Sequence, residues 1–193
     1  MTTASRWDFE HCRDRLATLP GRLGFPEGHT LSFLGLRLDL ATGVLVTEPD
    51  NLPLPGLRPT VFCILDAYSR VGEIAEAFQP VPFDQLPDGT AYAAAFRNRA
   101  ILPLAGQYSR DSRAFVSVMQ AFGAVPVAYA DHAWILRALP RVPVYILVWE
   151  GSGEFPPSAD LLFDASVSSI LPTEAAAMLG ELVADRIASV TGL

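Results

Sequence analysis

The segment from Val142 to Trp149 constrains the fold of this 193-residue chain more than any other part of the sequence. It reads VPVYILVW, so every side chain except that of Pro143 is apolar or favours a strand. Pro140 precedes the run and Gly151 follows it, which bounds a short apolar segment on both sides. Such a bounded run is typical of a strand that is buried in a sheet. We therefore expect an interior strand over Val142 to Trp149.

A group of acidic residues follows this strand and forms one candidate site. Its members lie in or just beyond a Gly- and Pro-rich turn, and they are Glu150, Glu154, Asp160 and Asp164. Carboxylates in such a position can bind Mg²⁺ or Ca²⁺ or work as an acid and base pair, and His132 is a candidate general base beside them. Their spacing matches no EF-hand loop, and we assign no metal ligand and no catalytic residue.

The structural alternative is that these carboxylates accept backbone hydrogen bonds. Asp164 and Glu154 would then hold the turn from Glu150 to Pro157. His132 has a structural alternative as well, because it follows Asp131 directly and adjacent residues of a strand point to opposite faces of the sheet. We therefore do not expect the side chains of Asp131 and His132 to bond to each other, and both can serve simply to stabilise a turn.

The same stretch resembles the C-terminal part of an uncharacterised prokaryotic family of domains of unknown function, of the DUF3786 type. The motifs that carry the resemblance are WEGSGEFP from Trp149, LFDAS from Leu162 and LPTE from Leu171. The likeness continues upstream through YAAAFRNRAILPL, Gly123 and Ala130-Asp131, so it covers roughly Leu31 to Ile187.

This resemblance implies little about activity, because no established activity comes with the family. Some relatives occur beside corrinoid or iron–sulfur proteins, which implies at most an accessory role connected with a cofactor. Family members carry a turn close to GDEEFP, and this chain has two acids fewer in its Gly151-Ser152-Gly153-Glu154 turn. The resemblance therefore leaves the cofactor unknown.

Size and composition predict one globular domain over residues 1–193. Half of the residues are hydrophobic and 18% are charged, which is typical of a folded chain. Within that domain we expect an N-terminal helix over about 6–19 and a core over about 31–189. The N-terminus lacks an apolar signal core, and no run reaches the ~18 apolar residues of a spanning helix, so we expect a cytoplasmic protein without a membrane segment. Cys12 and Cys63 lack CxxC spacing and are expected to be reduced.

All fourteen basic residues are arginines, and the net charge is −7. Without lysine, Schiff-base catalysis, a P-loop and a kinase-type ATP site are excluded, because each requires a primary amine. Residues 1–96 hold seven arginines and twelve acids, residues 97–141 hold six and two, and residues 142–193 hold one and seven. These acidic blocks argue against a nucleic-acid partner.

The basic middle block provides a second candidate site. Arg97, Arg99 and Arg113 could together bind a small anionic molecule, because guanidinium groups bind carboxylate and phosphate in a bidentate manner. The alternative is that these arginines pair with the acidic C-terminal block or lie on solvated helix faces. Tyr92 and Phe96 are interpreted as core aromatic residues rather than as a ligand platform.

Apolar periodicity predicts the remaining elements. We expect helices over Trp7–Leu19, Thr60–Phe78, Thr90–Tyr108 with a disturbance at Pro103, Asp111–Phe122 and Thr173–Ser189. We expect a hairpin of Leu31–Leu40 with Val44–Thr47, a loop over Val81–Gly89, and strands over Val125–Ala130, Ala133–Leu139, Val142–Trp149 and Asp160–Phe163. Strands in two groups with helices between them indicate an α+β fold, in which an N-terminal hairpin and a C-terminal antiparallel meander pack against several helices.

Three functions remain open at this point. The first is a non-catalytic accessory module that binds a ligand or cofactor. The second is a small enzyme that uses the acidic turn, with or without a metal. The third is an oligomeric adaptor without a ligand, whose apolar composition would serve oligomerisation. The expected partners are a small anionic molecule or a cofactor-related protein.

Overall fold

The computed structural model describes residues 7–152 and 154–190. Residue 6 of the expected N-terminal helix and Gly153 of the acidic turn lie outside this part of the chain. The α-helices are α1 (Phe9–Leu16), α2 (Arg58–Ser69), α3 (Ala93–Phe96), α4 (Leu102–Arg110), α5 (Ser112–Ala121), α6 (Val167–Ile170) and α7 (Thr173–Val190). The strands are β1 (Thr30–Phe33), β2 (Leu36–Asp39), β3 (Leu45–Thr47), β4 (Pro80–Pro82), β5 (Val125–Pro126), β6 (His132–Leu139), β7 (Val142–Trp149) and β8 (Ser158–Asp164).

Two antiparallel sheets confirm the α+β fold. The N-terminal sheet has the order β1-β2-β3, and the second sheet has the order β4-β8-β7-β6-β5. Strands β5, β6, β7 and β8 form the expected C-terminal meander, although β5 is shorter than the expected strand Val125–Ala130, and the short strand β4 pairs with β8 at the other edge. Strand β7 is therefore central, with a neighbour on each side.

The central strand is covered on both of its faces, as its apolar sequence predicts. Val144, Ile146 and Val148 belong to the main hydrophobic core, in which helices and both sheets meet. Tyr145 and Leu147 point the other way and belong to a smaller cluster on the opposite face of the sheet. Because neither face of β7 is solvated, polar residues are absent from this part of its sequence.

The N-terminal hairpin differs from its prediction. The expected single strand Leu31–Leu40 is itself a hairpin, in which Leu34 and Gly35 form the turn between β1 and β2. Both turn residues have positive φ, 50° at Leu34 and 63° at Gly35, as a tight two-residue hairpin turn requires. Leucine is an unusual residue at the first of these positions, so the apolar alternation continues through the turn and conceals it.

The expected helix over Thr60–Phe78 ends at Ser69, and this part of the prediction is wrong. Residues 71–79 are irregular and then continue into β4, where a loop was expected. Arg137 of β6 donates two hydrogen bonds to the carboxylate of Glu76, with N–O distances of 2.5 and 3.1 Å. Val71 and Ile74, whose spacing suggested a helix, still pack against the core. Contacts with the sheet therefore outweigh the local helical pattern.

The buried carboxylate of Asp164 holds the end of this irregular segment. It accepts hydrogen bonds from the N–H groups of Ala77 at 2.9 Å, Gln79 at 3.1 Å and Ser166 at 3.0 Å, and one from the Ser166 hydroxyl. The role is structural, but Asp164 anchors residues 77–79 rather than the Glu150–Pro157 turn. That part of the prediction is therefore wrong.

Replacement of Asp164 by Asn tests this anchor. Burial opposes ionisation, but the hydrogen bonds from the Ser166 hydroxyl and from three N–H groups outweigh it and lower the pKa of Asp164. A lowered pKa stabilises the fold above the unfolded pKa of about 3.9, and this contribution is lost as the pH falls through the folded pKa. Asp164→Asn should therefore lose about 1–3 kcal/mol of unfolding free energy at neutral pH and less in acid, as urea unfolding can measure.

Asp160 on the same strand provides the matched control. Burial raises the pKa of Asp160, so its ionised form is disfavoured in the folded state. Asp160→Asn should therefore leave the unfolding free energy at neutral pH unchanged or raise it, because it removes a charge that burial disfavours. Equal losses in both variants, or a loss in Asp164→Asn that does not depend on pH, would contradict the assigned role of Asp164.

Candidate functional site

A cleft of about 520 Å³ lies between α7 and the segment from Phe83 to Arg99. We call it the α7 cleft. Its volume is within the range of small-molecule sites, which is roughly 300–1,000 Å³. The residues that line it are Leu57, Thr60, Phe83, Asp88, Tyr92, Arg99, Thr173, Glu174, Ala177, Met178, Glu181, Leu182 and Asp185.

One stripe of α7 forms a wall of this cleft. The helix contributes seven residues at spacings of one, three and four, which places them on one side of the helix. Its buried opposite side includes Leu179, Val183 and Ile187, which belong to the core. Because the helix is fixed by this apolar side, the stripe that includes Glu174, Glu181 and Asp185 faces the cleft.

The aromatic lining residues Phe83 and Tyr92 form what we call the aromatic wall of the cleft. The position of this wall depends on a close approach between α7 and α3. Phe83 stacks on Phe96 with ring centroids 4.3 Å apart, and both rings lie near Phe163 of β8. A Cβ atom at Gly180 would lie 2.5 Å from the Phe96 ring. Gly180 therefore allows α7 to pack directly on Phe96, which sets the distance between the two walls.

Arg99 lies in an unusual segment of the helical region. Residues Arg97–Ile101 form a π-helical turn between α3 and α4. Pro103 follows at the start of α4 and has no N–H to donate to the carbonyl group of Arg99 four residues earlier. The sequence predicted a disturbance at Pro103, and the wider turn is that disturbance. Single π-helical turns are frequent at functional sites.

Arg99, Tyr92 and Glu181 form a connected polar group in the cleft. Arg99 donates a hydrogen bond to the Tyr92 oxygen at 2.7 Å, and the Tyr92 hydroxyl donates to Glu181 at 3.1 Å. The guanidinium of Arg99 also lies 3.8 Å from the Glu181 carboxylate. Burial and the adjacent Glu181 carboxylate raise the pKa of Tyr92, so its phenol is protonated at neutral pH. The charge of Arg99 is therefore largely matched within the protein.

The three arginines that the sequence singled out do not share one site. Arg99 lines the α7 cleft, whereas Arg97 and Arg113 are not among its described lining residues. Arg97 lies near Asp160, whose pKa it lowers against the larger raising effect of burial. Arg113 is exposed on the first turn of α5. The arrangement gives no convergent three-arginine anion site.

The acidic group is also divided, but one pair from it comes together. His132 Nε2 lies 2.8 Å from a carboxylate oxygen of Glu150, and the Tyr108 hydroxyl donates to the same oxygen at 3.4 Å. Asp131 accepts a hydrogen bond from the Glu150 N–H at 2.9 Å. Asp131 and His132 thus both bind Glu150 and do not bond to each other.

The other acids of the group lie apart from this pair. Asp160 and Asp164 occupy β8, where Asp164 is fully buried, and Glu154 is exposed. Among the described residues, no three His, Cys, Asp or Glu side chains are arranged to hold a metal ion. The acidic turn therefore provides a His132–Glu150 pair, supported by Tyr108, rather than a carboxylate cluster.

Sequence reasoning missed most of the cleft. Tyr92 was interpreted as a core residue, and the acids of α7 were counted as part of an acidic block. Their positions were available as a signal, because Glu174, Glu181 and Asp185 are spaced by seven and four residues and so share one face of a helix. Nothing in the sequence indicated that Phe83, in a predicted loop, would lie opposite that face.

Comparison with known proteins yields a match to a family model. The model of a domain of unknown function, DUF3786, matches residues 68–186, which is more than half of the chain. No curated protein and no solved structure matches this chain significantly. Within residues 7–152 and 154–190, no helix is long and apolar enough to cross a membrane.

Replacement of Gly180 by Ala tests the packing that shapes the cleft. Glycine to alanine in a helix interior normally stabilises by up to about 1 kcal/mol. At Gly180 the new Cβ would overlap the buried Phe96 ring, so Gly180→Ala should instead destabilise by about 1–3 kcal/mol in chemical unfolding. Gly106 in α4 is the matched control, because a Cβ there meets nothing within 4 Å and Gly106→Ala should stabilise. Stabilisation by both changes would show that the α7 contact is loose.

Proposed function

The chain belongs to the DUF3786 family of domains of unknown function, and we propose that it is a non-catalytic module that binds a small organic molecule in the α7 cleft. The observation that carries this proposal is the cleft itself. It combines a volume of about 520 Å³ with apolar and aromatic walls and a few polar groups. Concave sites with this combination are the usual form of small-molecule sites in proteins.

The polar groups of the cleft support binding rather than chemistry. Arg99, Tyr92 and Glu181 are bonded to one another, so each holds the next in place. The described lining residues include no His or Cys, and of the groups there that can carry a proton, Tyr92 and Glu181 are already bonded to each other. A prearranged polar group on one side of an apolar cleft orients a ligand at little entropic cost.

An accessory role is consistent with this arrangement. A module of this kind would sequester or present its ligand to another protein, as the resemblance to proteins found beside cofactor-dependent partners implies. The ligand would enter from solvent, because the lining residues Asp88, Glu174 and Asp185 are exposed. We propose that this function is exercised in the cytoplasm.

A second candidate function is acid–base chemistry at His132. The contact of 2.8 Å between His132 and Glu150 favours it, because a carboxylate that orients an imidazole is a recurrent catalytic arrangement. Tyr108 adds a hydroxyl group whose pKa is raised by burial and by Glu150. If this pair is catalytic, a panel of ester and phosphoester substrates should reveal an activity that is lost in His132→Asn and Glu150→Gln. If the wild type turns over no substrate faster than His132→Asn does, acid–base chemistry at His132 is not the function.

A ligand screen by thermal unfolding tests the proposed binding function. A compound at about 100 times its Kd should add about 2.7 kcal/mol to stability, which corresponds to a rise in Tm of about 5–10 °C for a chain of this size. The protecting compounds should fail to protect Met178→Trp, in which the indole occupies the cleft.

Leu102→Trp is the matched control for this screen. Leu102 is exposed on α4 and is not among the residues that line the cleft. Protection should be retained in this variant, because the added indole lies outside the cleft. If no compound protects the wild type, or if every hit protects Met178→Trp equally well, the α7 cleft is not a binding site.

A further inference from the structure

We propose that the ligand of the α7 cleft is an organic cation with two or more protonated amines, such as an alkyl diamine or polyamine. This inference rests on the proposed function of the cleft. Its starting point is the charge of the described lining residues, which comprise the carboxylates of Asp88, Glu174, Glu181 and Asp185 and a single guanidinium group, that of Arg99. A concave surface of one dominant sign raises the local concentration of ligands of the opposite sign.

The one arginine does not reverse this preference. Arg99 donates to Tyr92 and lies 3.8 Å from Glu181, so its charge is matched by a carboxylate of the cleft itself. Arg186 follows Asp185 in the chain, but its guanidinium is buried and donates to the carbonyl groups of Leu34 and Gly35. The single charge of Arg99 offsets only one of the four carboxylates, so the four together keep an excess negative charge that can receive a cationic ligand.

The spacing of the carboxylates favours more than one amine. Along the axis of α7, Glu174 and Glu181 are separated by about 10 Å, and Glu181 and Asp185 by about 6 Å. Amino groups at the two ends of an alkyl chain are separated by similar distances. A single amine would pair with one carboxylate and leave the others unused, whereas a diamine can reach two of them at once.

The walls between the carboxylates suit an alkyl chain. Leu57, Phe83, Met178 and Leu182 provide apolar surface within the same cleft. A hydrated metal ion would gain nothing from such walls, because Mg²⁺ and Ca²⁺ bind clustered oxygen atoms. The methylene groups of a diamine would instead be removed from water on this surface. The combination of separated acids and apolar walls therefore selects an organic cation.

Three probes with the same six-carbon chain test the charge of the ligand. They are hexane-1,6-diamine, the neutral hexane-1,6-diol and the dianion hexanedioate, each titrated calorimetrically into the wild type. The diamine should bind, the diol should bind at least about tenfold more weakly, and the dianion should not bind. Diamine binding should weaken as the salt concentration rises, because the contributing carboxylates are partly exposed.

Charge-removing variants locate the binding. Glu174→Gln and Asp185→Asn should each weaken diamine binding by about two- to fivefold, as is typical of the loss of one exposed charge pair. Asp14→Asn in α1 is the matched control for non-specific attraction to an acidic protein, because its side chain is 96% exposed and lies outside the cleft. An equal loss in Asp14→Asn would overturn the assignment.

The results separate this inference from the proposed function. If the diol or the dianion binds as tightly as the diamine, and Met178→Trp abolishes that binding, the cleft is a binding site but its ligand is not a cation. If the diamine fails to bind while other screened compounds protect the wild type but do not protect Met178→Trp, the cleft is again a binding site whose ligand is not a cation. If no compound distinguishes the wild type from Met178→Trp, both the cation assignment and the binding function fail.

Discussion

The buried carboxylate of Asp164 connects parts of the chain that are distant in sequence. By accepting the N–H groups of Ala77 and Gln79, it joins the irregular segment 71–79 to β8. The chain then enters β4, which pairs with β8, and Phe83 follows directly in contact with Phe96 and Phe163. Since Phe96 in turn contacts α7 at Gly180, the position of the aromatic wall of the cleft follows from the Asp164 contact through a short series of packed residues.

Elements whose cause is local could be predicted from the sequence. The apolar run of β7, the helix expected over Asp111–Phe122 and the apolar stripe of α7 all depend on patterns within a few residues, and the structure confirms each of them. The helix expected over Thr60–Phe78 failed because its second half is held by Arg137 and Asp164, which lie 61 and 85 or more residues away. A periodic pattern does not encode such a distant acceptor.

The candidate site illustrates the same limit for electrostatics. Counting charges by blocks assigned Arg99 to a basic segment and Glu181 to an acidic one, which left open whether the arginines form an anion site, pair with the acidic block or lie on solvated helix faces. Folding places the two side chains in one cleft, 3.8 Å apart. The sign of the net charge in a site depends on which segments of the sequence lie next to each other in the fold. Tertiary packing sets this arrangement, and composition does not.

Most residues that line the cleft lie within the segment that matches the family model. The matched residues 68–186 contain β8, the aromatic wall and the acidic stripe of α7. Of the described residues that line the cleft, Leu57 and Thr60 alone precede that segment, and both lie at or near the start of α2. The N-terminal sheet and α1 contribute core residues such as Leu16 and Leu38 but no lining residue. The cleft is thus built almost entirely by the part of the chain that defines the family, which is where a binding function shared by its members would be located.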